Sequence, residues 1–489
     1  MRVAFRADAS LAVGSGHVMR CLTLADDLKR QGAETLFISR EIPGNLGDLV
    51  AARGHGLAWL PARGTPEADA ADTAAILDGN AWEWLVVDHY DLDATWERAQ
   101  RHLARNILVI DDLADRPHDC DLLLDQNVQQ PDRYQGLLPV ACRTLLGPRF
   151  ALLRPQFAEA RGQLKPRDGR VRRLLVFCGG SDAAGDTLKV LAGIRESGRN
   201  DLGVDVVIGQ ANPHAVPIEA TCRTMPGAVL HRQVADMAAI MAAADLYLGA
   251  GGTSSWERCC LGLPALVLAT AGNQIEQARS LAETGAQLYL GPSAEVDAVR
   301  LGRMLSCVCD SPLLLAHIAR QAQELVDGHG AGRVAARMLA AEISLRPAGL
   351  KDSDALFTWR NHPDTRRHAF DSAEIEREGH ENWLAAVLAD EDRELLIAEH
   401  NQQPVGVLRY DIEAGRALVS VYLVPGMAGQ GLGVRLLLAG EGWIEEKRQD
   451  VRFFEAEIGA ANEASIHAFL AAGYSPQRAT YRKDRNEHS

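Results

Sequence analysis

None of the nine cysteines stands in a C-x-x-C pair, so the chain carries no obvious metal or redox motif. Cys259 and Cys260 are adjacent and cannot form an ordinary disulfide, while Cys307 and Cys309 fall in a helical stretch. All nine read as core cysteines of a reduced, cytoplasmic protein. Long apolar runs are missing too. None approaches the roughly 18 residues of a spanning helix, and the longest, Leu261 to Ala271, is interrupted by Gly262 and Pro264 and predicts a buried strand. No charged, apolar and small-residue leader pattern precedes the strand-like Arg2-Val3-Ala4-Phe5. There is no positive excess either: 51 Lys and Arg face 65 Asp and Glu, a net charge of −14. That balance argues against nucleic acid as partner. It leaves anionic small ligands open, because backbone amides at helix ends bind phosphate whatever the overall charge. What remains is an ordinary globular composition, 47% hydrophobic and 24% charged, which excludes disorder, collagen and coiled coil. The 489 residues correspond to roughly three domains.

The chain changes character twice. Up to about residue 160, apolar runs alternate with helical stretches, with strands predicted near residues 2–6, 35–38, 84–88, 107–111 and 122–124 and helices over 17–31 and 94–104. Such alternation indicates a parallel sheet covered by helices on both faces. Residues 161–172, polar and basic with Gly and Pro, read as a linker. The alternation then restarts, with strands near 174–178, 204–208, 245–249 and 264–268, and residues 314–343 close this half as long helices. Beyond about 345, strands near 394–399, 404–410 and 417–424 follow one another without helices between them, which favours antiparallel pairing. The expected architecture is α/β: two doubly wound Rossmann-like domains, residues 1–160 and 172–343, followed by an α+β domain, residues 346–489. Ligands of such sheets lie beyond the carboxyl ends of the strands.

Three glycine loops running into helices are the most informative feature. The first is Gly14-Ser15-Gly16-His17-Val18-Met19-Arg20, the second Gly251-Gly252-Thr253-Ser254-Ser255-Trp256-Glu257, the third Gly429-Gln430-Gly431-Leu432-Gly433. Glycine lets a ligand approach the backbone, and the helix that follows offers free N–H groups and its positive end to an anion. His17 stands where a helix end favours a neutral imidazole, as a general base requires. On spacing alone, a helix-start residue without chemistry fits His17 equally well. Glu257, one turn into its helix, is placed to accept hydrogen bonds from ribose hydroxyls; the bland alternative is a first-turn charge answering the helix dipole.

Residues 1–343 resemble the UDP-sugar hydrolases of pseudaminic acid biosynthesis. The likeness is carried by Phe5-Arg6-Ala7-Asp8 with Gly14 to Cys21, Val87-Asp88-His89-Tyr90, Asp119-Cys120-Asp121, Ala151-Leu152-Leu153-Arg154, Gly179-Gly180-Ser181-Asp182, Asn273-Gln274 and Val326-Asp327-Gly328, all in order. The family is similar to two-domain GT-B glycosyltransferases but uses water as acceptor. The resemblance implies a catalytic His17, with Tyr90 and Asn273 at the sugar and phosphate end of the cleft. It also implies substrate contacts from Asp8, Gly14, Gly16, Arg20, Gly180, Gly252, Thr253, Ser254, Glu257 and Gln274. The substrate it implies is UDP-2,4-diacetamido-2,4,6-trideoxy-β-L-altropyranose, cleaved at the anomeric carbon with inversion and without a metal.

Residues 346–489 resemble the GNAT acetyltransferases, whose acetyl-CoA pattern is Gln/Arg-x-x-Gly-x-Gly/Ala after a strand. Here Ala428-Gly429-Gln430-Gly431-Leu432-Gly433 occupies those positions, with Ala428 departing from the first, and Asn462-Glu463-Ala464-Ser465 and Ala472-Gly473-Tyr474 match the second half. The resemblance implies acetyl-CoA as co-substrate, held by Leu423, Val424, Gly429, Gln430, Gly431, Gly433, Val434 and Asn462. Many members carry a tyrosine general acid where this chain has Phe469, which reads as core; Tyr481 and His467 are the alternatives for that role. The expectation is a bifunctional enzyme that N-acetylates a UDP-linked 4-amino sugar and then releases UDP. The competing readings are a GT-B glycosyltransferase with a sugar acceptor and a non-catalytic nucleotide-sugar binder.

Overall fold

The computed structural model describes residues 1–10, 14–128, 132–210 and 212–477. The chain divides into two compact units, Met1–Val334 and Ala335–Ser489. In the first unit, β1 (Arg2–Ala7), β2 (Glu34–Arg40), β3 (Gly56–Leu60), β4 (Trp82–Asp88), β5 (Ala104–Ile110), β6 (Leu122–Asp125) and β7 (Arg143–Leu146) form a sheet of order β3-β2-β1-β4-β5-β6-β7. A second sheet holds β8 (Arg173–Phe177), β9 (Gly203–Ile208), β10 (Ala228–Arg232), β11 (Leu246–Ala250), β12 (Ala265–Ala269) and β13 (Leu288–Pro292) in the order β10-β9-β8-β11-β12-β13. All pairs in both sheets are parallel. Each sheet reverses its strand order once, between β1 and β4 and between β8 and β11. That reversal opens a crevice at the carboxyl ends of the strands. The central strands are buried on both faces, as their continuous apolar runs require: Val3, Ala4 and Phe5 in β1 and Leu246, Tyr247 and Leu248 in β11 are among them.

The second unit is built on β14 (Ser344–Pro347), β15 (Arg393–His400), β16 (Gln403–Glu413), β17 (Arg416–Leu423) and β18 (Phe453–Glu455), in sequential order. The first four strands are antiparallel, and β17 pairs with β18 in parallel. The helix Leu432–Lys447 packs on this sheet through Leu432, Leu436, Leu437 and Ile444, and the helix Glu463–Ala472 adds Phe469 to the same core. The two doubly wound sheets and the α+β unit are the architecture expected from the pattern of apolar runs.

Several local expectations fail for definable reasons. The edge strands β3, β7, β10 and β13 and the short β14 carry too few buried apolar positions to stand out. The helix predicted over 94–104 ends at Gln100, and Ala104 already pairs with Trp82 in the sheet. The segment 161–172 is not a free tether. Arg161 lies in the helix Pro155–Gln163 and donates to Cys260 O (2.8 Å), Val326 O (3.1 Å) and Gln323 O (3.1 Å), while Arg167 donates to Ala244 O. The planar donor fork of arginine here satisfies orphan carbonyls at helix ends. The cysteines are free, but Cys307 is exposed rather than core. Cys120 and Cys142, far apart in sequence, bring their Sγ atoms to 3.5 Å. No single helix among the described residues is long and apolar enough to cross a membrane.

Candidate functional site

The carboxyl ends of β1, β4 and β5 each finish on acid: Asp8 one residue beyond β1, Asp88 closing β4, Asp111 and Asp112 after β5. The helix Gly16–Arg30 starts in the midst of them, with no side chain capping it and no acid in its first turn. Its free amides therefore face the crevice. Gly14 takes φ +86°, where only glycine sits without strain, and closes the loop by donating to Ser10 O (2.8 Å). At its second residue, the buried His17 ring meets Tyr90 edge-on at 4.6 Å. Burial pushes the imidazole below the ordinary histidine value. Asp88 and Asp112 pull it back up, and Arg20 and His89 add to the downward push. The Tyr90 hydroxyl is pushed up to about 12 by burial and by Asp112, so it stays a donor at neutral pH.

Arg20 departs from its expected role. Its side chain is buried and donates to both carboxylate oxygens of Asp88 (2.6 Å each) and to Asp112 (3.1 Å). Three of its five N–H groups are held this way, so it clamps the helix to the ends of β4 and β5. Asp8 is similarly committed. Arg6 (2.8 Å), His89 Nε2 (3.2 Å) and the Arg40 amide (2.7 Å) surround it. Burial opposes its ionisation, but the hydrogen bonds from His89 and Arg6 outweigh burial and hold the carboxyl well below its usual range. His89 Nδ1 accepts from the Asp91 amide (3.1 Å), which leaves the ring proton on Nε2, facing Asp8. Asp88 and His89 stand in the motif Val87-Asp88-His89-Tyr90 without a role assigned to them there, and Asp112 is not marked by any motif. The signal was available, since each follows an apolar run that ends at the same sheet edge.

The second sheet supplies the opposite wall. A Cβ at Gly16 would lie 3.7 Å from Thr253 Cγ2, so the first two glycine loops face each other. Thr253 precedes the helix Ser254–Cys260 and Asn273 precedes the helix Gln274–Glu283; neither helix has a side-chain cap. Gln274 Oε1 accepts from the Thr270 amide (3.1 Å) and hydroxyl (3.2 Å), and its amide lies 3.6 Å from a Cβ built at Gly252. It therefore stiffens its own loop while packing beside the Gly252 loop. Glu257 is paired with Arg154 (3.2 Å), which comes from the segment between the sheets. Burial raises its carboxyl, with Arg154 pulling the other way. Gly180 does not open an anion site. The helix beyond it is already capped, because Asp182 accepts from the amides of Asp186 (2.8 Å) and Thr187 (3.0 Å), and Gly180 O is taken by the Gly209 amide (3.0 Å). No group of three or more His, Cys, Asp or Glu among the described residues is arranged to hold a metal ion.

In the second unit a cavity of about 1140 Å³ opens between the helices and β17. Leu423, Val424, Gly433, Asn462 and Phe469 line it; Gly429, Gln430 and Gly431 form the exposed loop beside it, next to the half-buried Val434. Gly429 and Gly431 take φ +81° and +69°, and Gly431 starts the helix Leu432–Lys447, again without a side-chain cap or a first-turn acid. β17 pairs with β18 only over Arg416–Leu418. Beyond that point Ser420 to Val424 face the cavity opposite Glu457, Ile458 and Gly459. Asn462 lines the cavity, but its Oδ1 is spent on capping the last helix at the Ser465 amide (3.1 Å). Phe469 is buried against Tyr474 (4.8 Å), a core residue as expected. His467 is exposed and is not part of the cavity wall, and Tyr481 lies outside the described residues.

Fold and site together define a doubly wound α/β unit with uncapped helix ends at its crevice and an α+β unit with a glycine loop beside its cavity. Residues 354–474 match the Acetyltransferase (GNAT) family, so the C-terminal unit contains a GNAT domain. The N-terminal part is similar to the spore coat polysaccharide biosynthesis protein SpsG of Bacillus subtilis. That relative is 34% identical over 191 residues, 39% of this chain and 56% of the relative. It is also similar to the UDP-2,4-diacetamido-2,4,6-trideoxy-β-L-altropyranose hydrolase of Campylobacter jejuni, 27% identical over 192 residues, 39% of this chain and 64% of the relative. In both cases the chain spans less than two thirds of the relative's own length. A crystal structure of Acinetobacter baumannii MurG overlays 68% of this chain and 98% of its own, at 14% identity and a TM-score of 0.48. The chain thus joins a part similar to these two relatives to a part that matches the GNAT family.

Proposed function

We propose that the two parts act in succession on one UDP-linked amino sugar. The GNAT domain transfers acetyl from acetyl-CoA to the 4-amino group. The N-terminal unit then releases UDP from UDP-2,4-diacetamido-2,4,6-trideoxy-β-L-altropyranose by attack of water on the anomeric carbon. The observation that carries this reading is the meeting of His17 with Tyr90 at an uncapped helix end, opposite Thr253. A neutral imidazole accepts the proton of the attacking water, and the Tyr90 hydroxyl, which donates to Asp112, accepts from a hydroxyl or amide of the bound sugar. The amides beyond Gly16 and Thr253 hold the diphosphate and stabilise the charge that grows on the leaving oxygen. UDP is a good leaving group, so a positioned base and these amides suffice. Asn273 and Gln274 contact the phosphate end, and Glu257 takes the ribose hydroxyls, with Arg154 fixing its orientation.

In the GNAT domain, the amides at Gly431 and Gly433 bind the pyrophosphate of acetyl-CoA, and the open edge of β17 through Leu423 and Val424 pairs with its extended amide arm. Mass spectrometry of purified protein given the UDP-4-amino sugar tests the whole reading. Free UDP and a diacetamido sugar are expected with acetyl-CoA present. Transfer of the sugar to another saccharide, or no turnover, would sink it.

A further inference from the structure

The amino ends of β6 and β7 hold two thiols that the proposed chemistry does not use. Cys120 lies two residues before β6 and Cys142 one residue before β7. They are 22 positions apart in the chain, yet their Sγ atoms stand 3.5 Å apart. The strands are parallel neighbours with Leu122 opposite Arg143, and the Arg143 amide donates to Asp121 O (3.0 Å). Cys142 is thereby set diagonally across from Cys120. A strand spacing of about 4.8 Å and a rise of about 3.3 Å per residue make that diagonal about 6 Å, inside the roughly 4.4–6.8 Å between Cα atoms that a disulfide spans. Both cysteines are free, and small side-chain rotations close the gap to a bond of about 2.05 Å.

The two thiols differ in access. Cys120 is 1% exposed, whereas Cys142 is half-buried between the exposed Ala141 and Arg143. The Cys142 thiol donates to Arg143 O (3.4 Å) in an exposed contact. The Cys120 thiol is placed to donate to Cys142 Sγ, which holds Cys142 below the ordinary thiol value against its partial burial and holds Cys120 above it. The thiolate is the reactive form, so the outer sulfur is suited to meet an oxidant and the inner one to resolve the product. We propose that Cys142 and Cys120 form an oxidisable dithiol site whose oxidant is a small peroxide. The Cys142 thiolate attacks one oxygen of hydrogen peroxide and the O–O bond breaks. Cys142 becomes a sulfenic acid, and the departing hydroxide takes a proton to become water. Cys120 Sγ then attacks Cys142 Sγ; the S–S bond forms, the S–O bond breaks, and the hydroxyl leaves with the Cys120 proton as a second water. Two thiols lose two electrons, and one peroxide is reduced to two waters. The disulfide closes a ring over residues 120–142 and pins the edge strand β7 to β6, which restricts the unfolded chain.

The reduced full chain is treated with hydrogen peroxide, its remaining thiols are alkylated, and its peptides are mapped by mass spectrometry without reductant. Expected is a peptide pair joined through Cys120 and Cys142, separated again by dithiothreitol, and a thermal midpoint several degrees higher for the oxidised chain than for the reduced one. Cys142→Ser should lose both the link and the shift. Cys307→Ser, which removes an exposed cysteine elsewhere, should keep both. Cys120→Ser should leave a sulfenic acid at Cys142 that dimedone captures. Cys120 and Cys142 left unlinked after oxidation, a link from either to another cysteine, or a lowered midpoint in the linked chain would each overturn the proposal.

Discussion

At the scale of single residues, the proposed release of UDP turns on one imidazole kept neutral. Burial lowers His17, and a base works only in its deprotonated form. Protonation therefore switches it off at a lower pH than for an ordinary histidine. The acid limb of kcat/KM for UDP release is expected to have its midpoint below ~6.5, the unperturbed value; a midpoint at or above it would mean that another group carries the limb. Tyr90, pushed to about 12, leaves the neutral range flat. His17→Ala should cost on the order of 100- to 10,000-fold in turnover while UDP-sugar affinity, read by titration calorimetry, stays close to wild type. Near-normal turnover would reduce His17 to a helix-start residue.

At the scale of elements, the helix Gly16–Arg30 is held to the sheet by charge as well as by its apolar face. Arg20 pairs with Asp88 and Asp112 in a buried setting, and removing one partner of such a pair typically costs about 3–5 kcal/mol, because the other is left charged and dry. Arg20→Met should therefore destabilise the Met1–Val334 unit by about that amount in denaturant unfolding, and an unchanged midpoint would show the clamp to be idle. In the second unit the glycine loop is the vulnerable element. A Cβ at Gly433 would sit 3.5 Å from Ala468 Cβ, so the branched side chain of Gly433→Val crowds the neighbouring helix and the helix N-terminus together. Acetyl-CoA binding is expected to be lost while UDP release from an already acetylated substrate continues. Equal acetyl-CoA affinity in wild type and variant would place the cofactor elsewhere.

At the scale of the whole molecule, the two chemistries have a natural order. Hydrolysis discards the UDP group that both sites are proposed to recognise, so acetylation comes first. The His17→Ala variant, given the UDP-4-amino sugar and acetyl-CoA, should accumulate the acetylated UDP-sugar, detected by mass spectrometry. Rapid UDP release from the unacetylated sugar by the wild type, without acetyl-CoA, would reverse that order.

The sequence by itself determined the layers. Alternating apolar runs and helical stretches are a local property, and so are glycine loops ahead of helices; both doubly wound sheets, the α+β unit and the loops at Gly14, Gly252 and Gly431 were legible for that reason. Edge strands such as β7 were not, because half of their surface faces water and their pattern is diluted. What only the tertiary structure decided is which charges meet. Arg20 is a substrate contact implied by resemblance until β4 and β5 bring Asp88 and Asp112 onto it. Gly180 is only a substrate contact implied by resemblance until Asp182 is found to fill the helix end beyond it. Cys120 and Cys142 touch only because β6 and β7 are neighbours. Hydrophobic periodicity acts over a few residues and is written in the chain. Hydrogen bonding and ion pairing act over a few ångströms in space, between residues whose separation along the chain carries no trace of the contact.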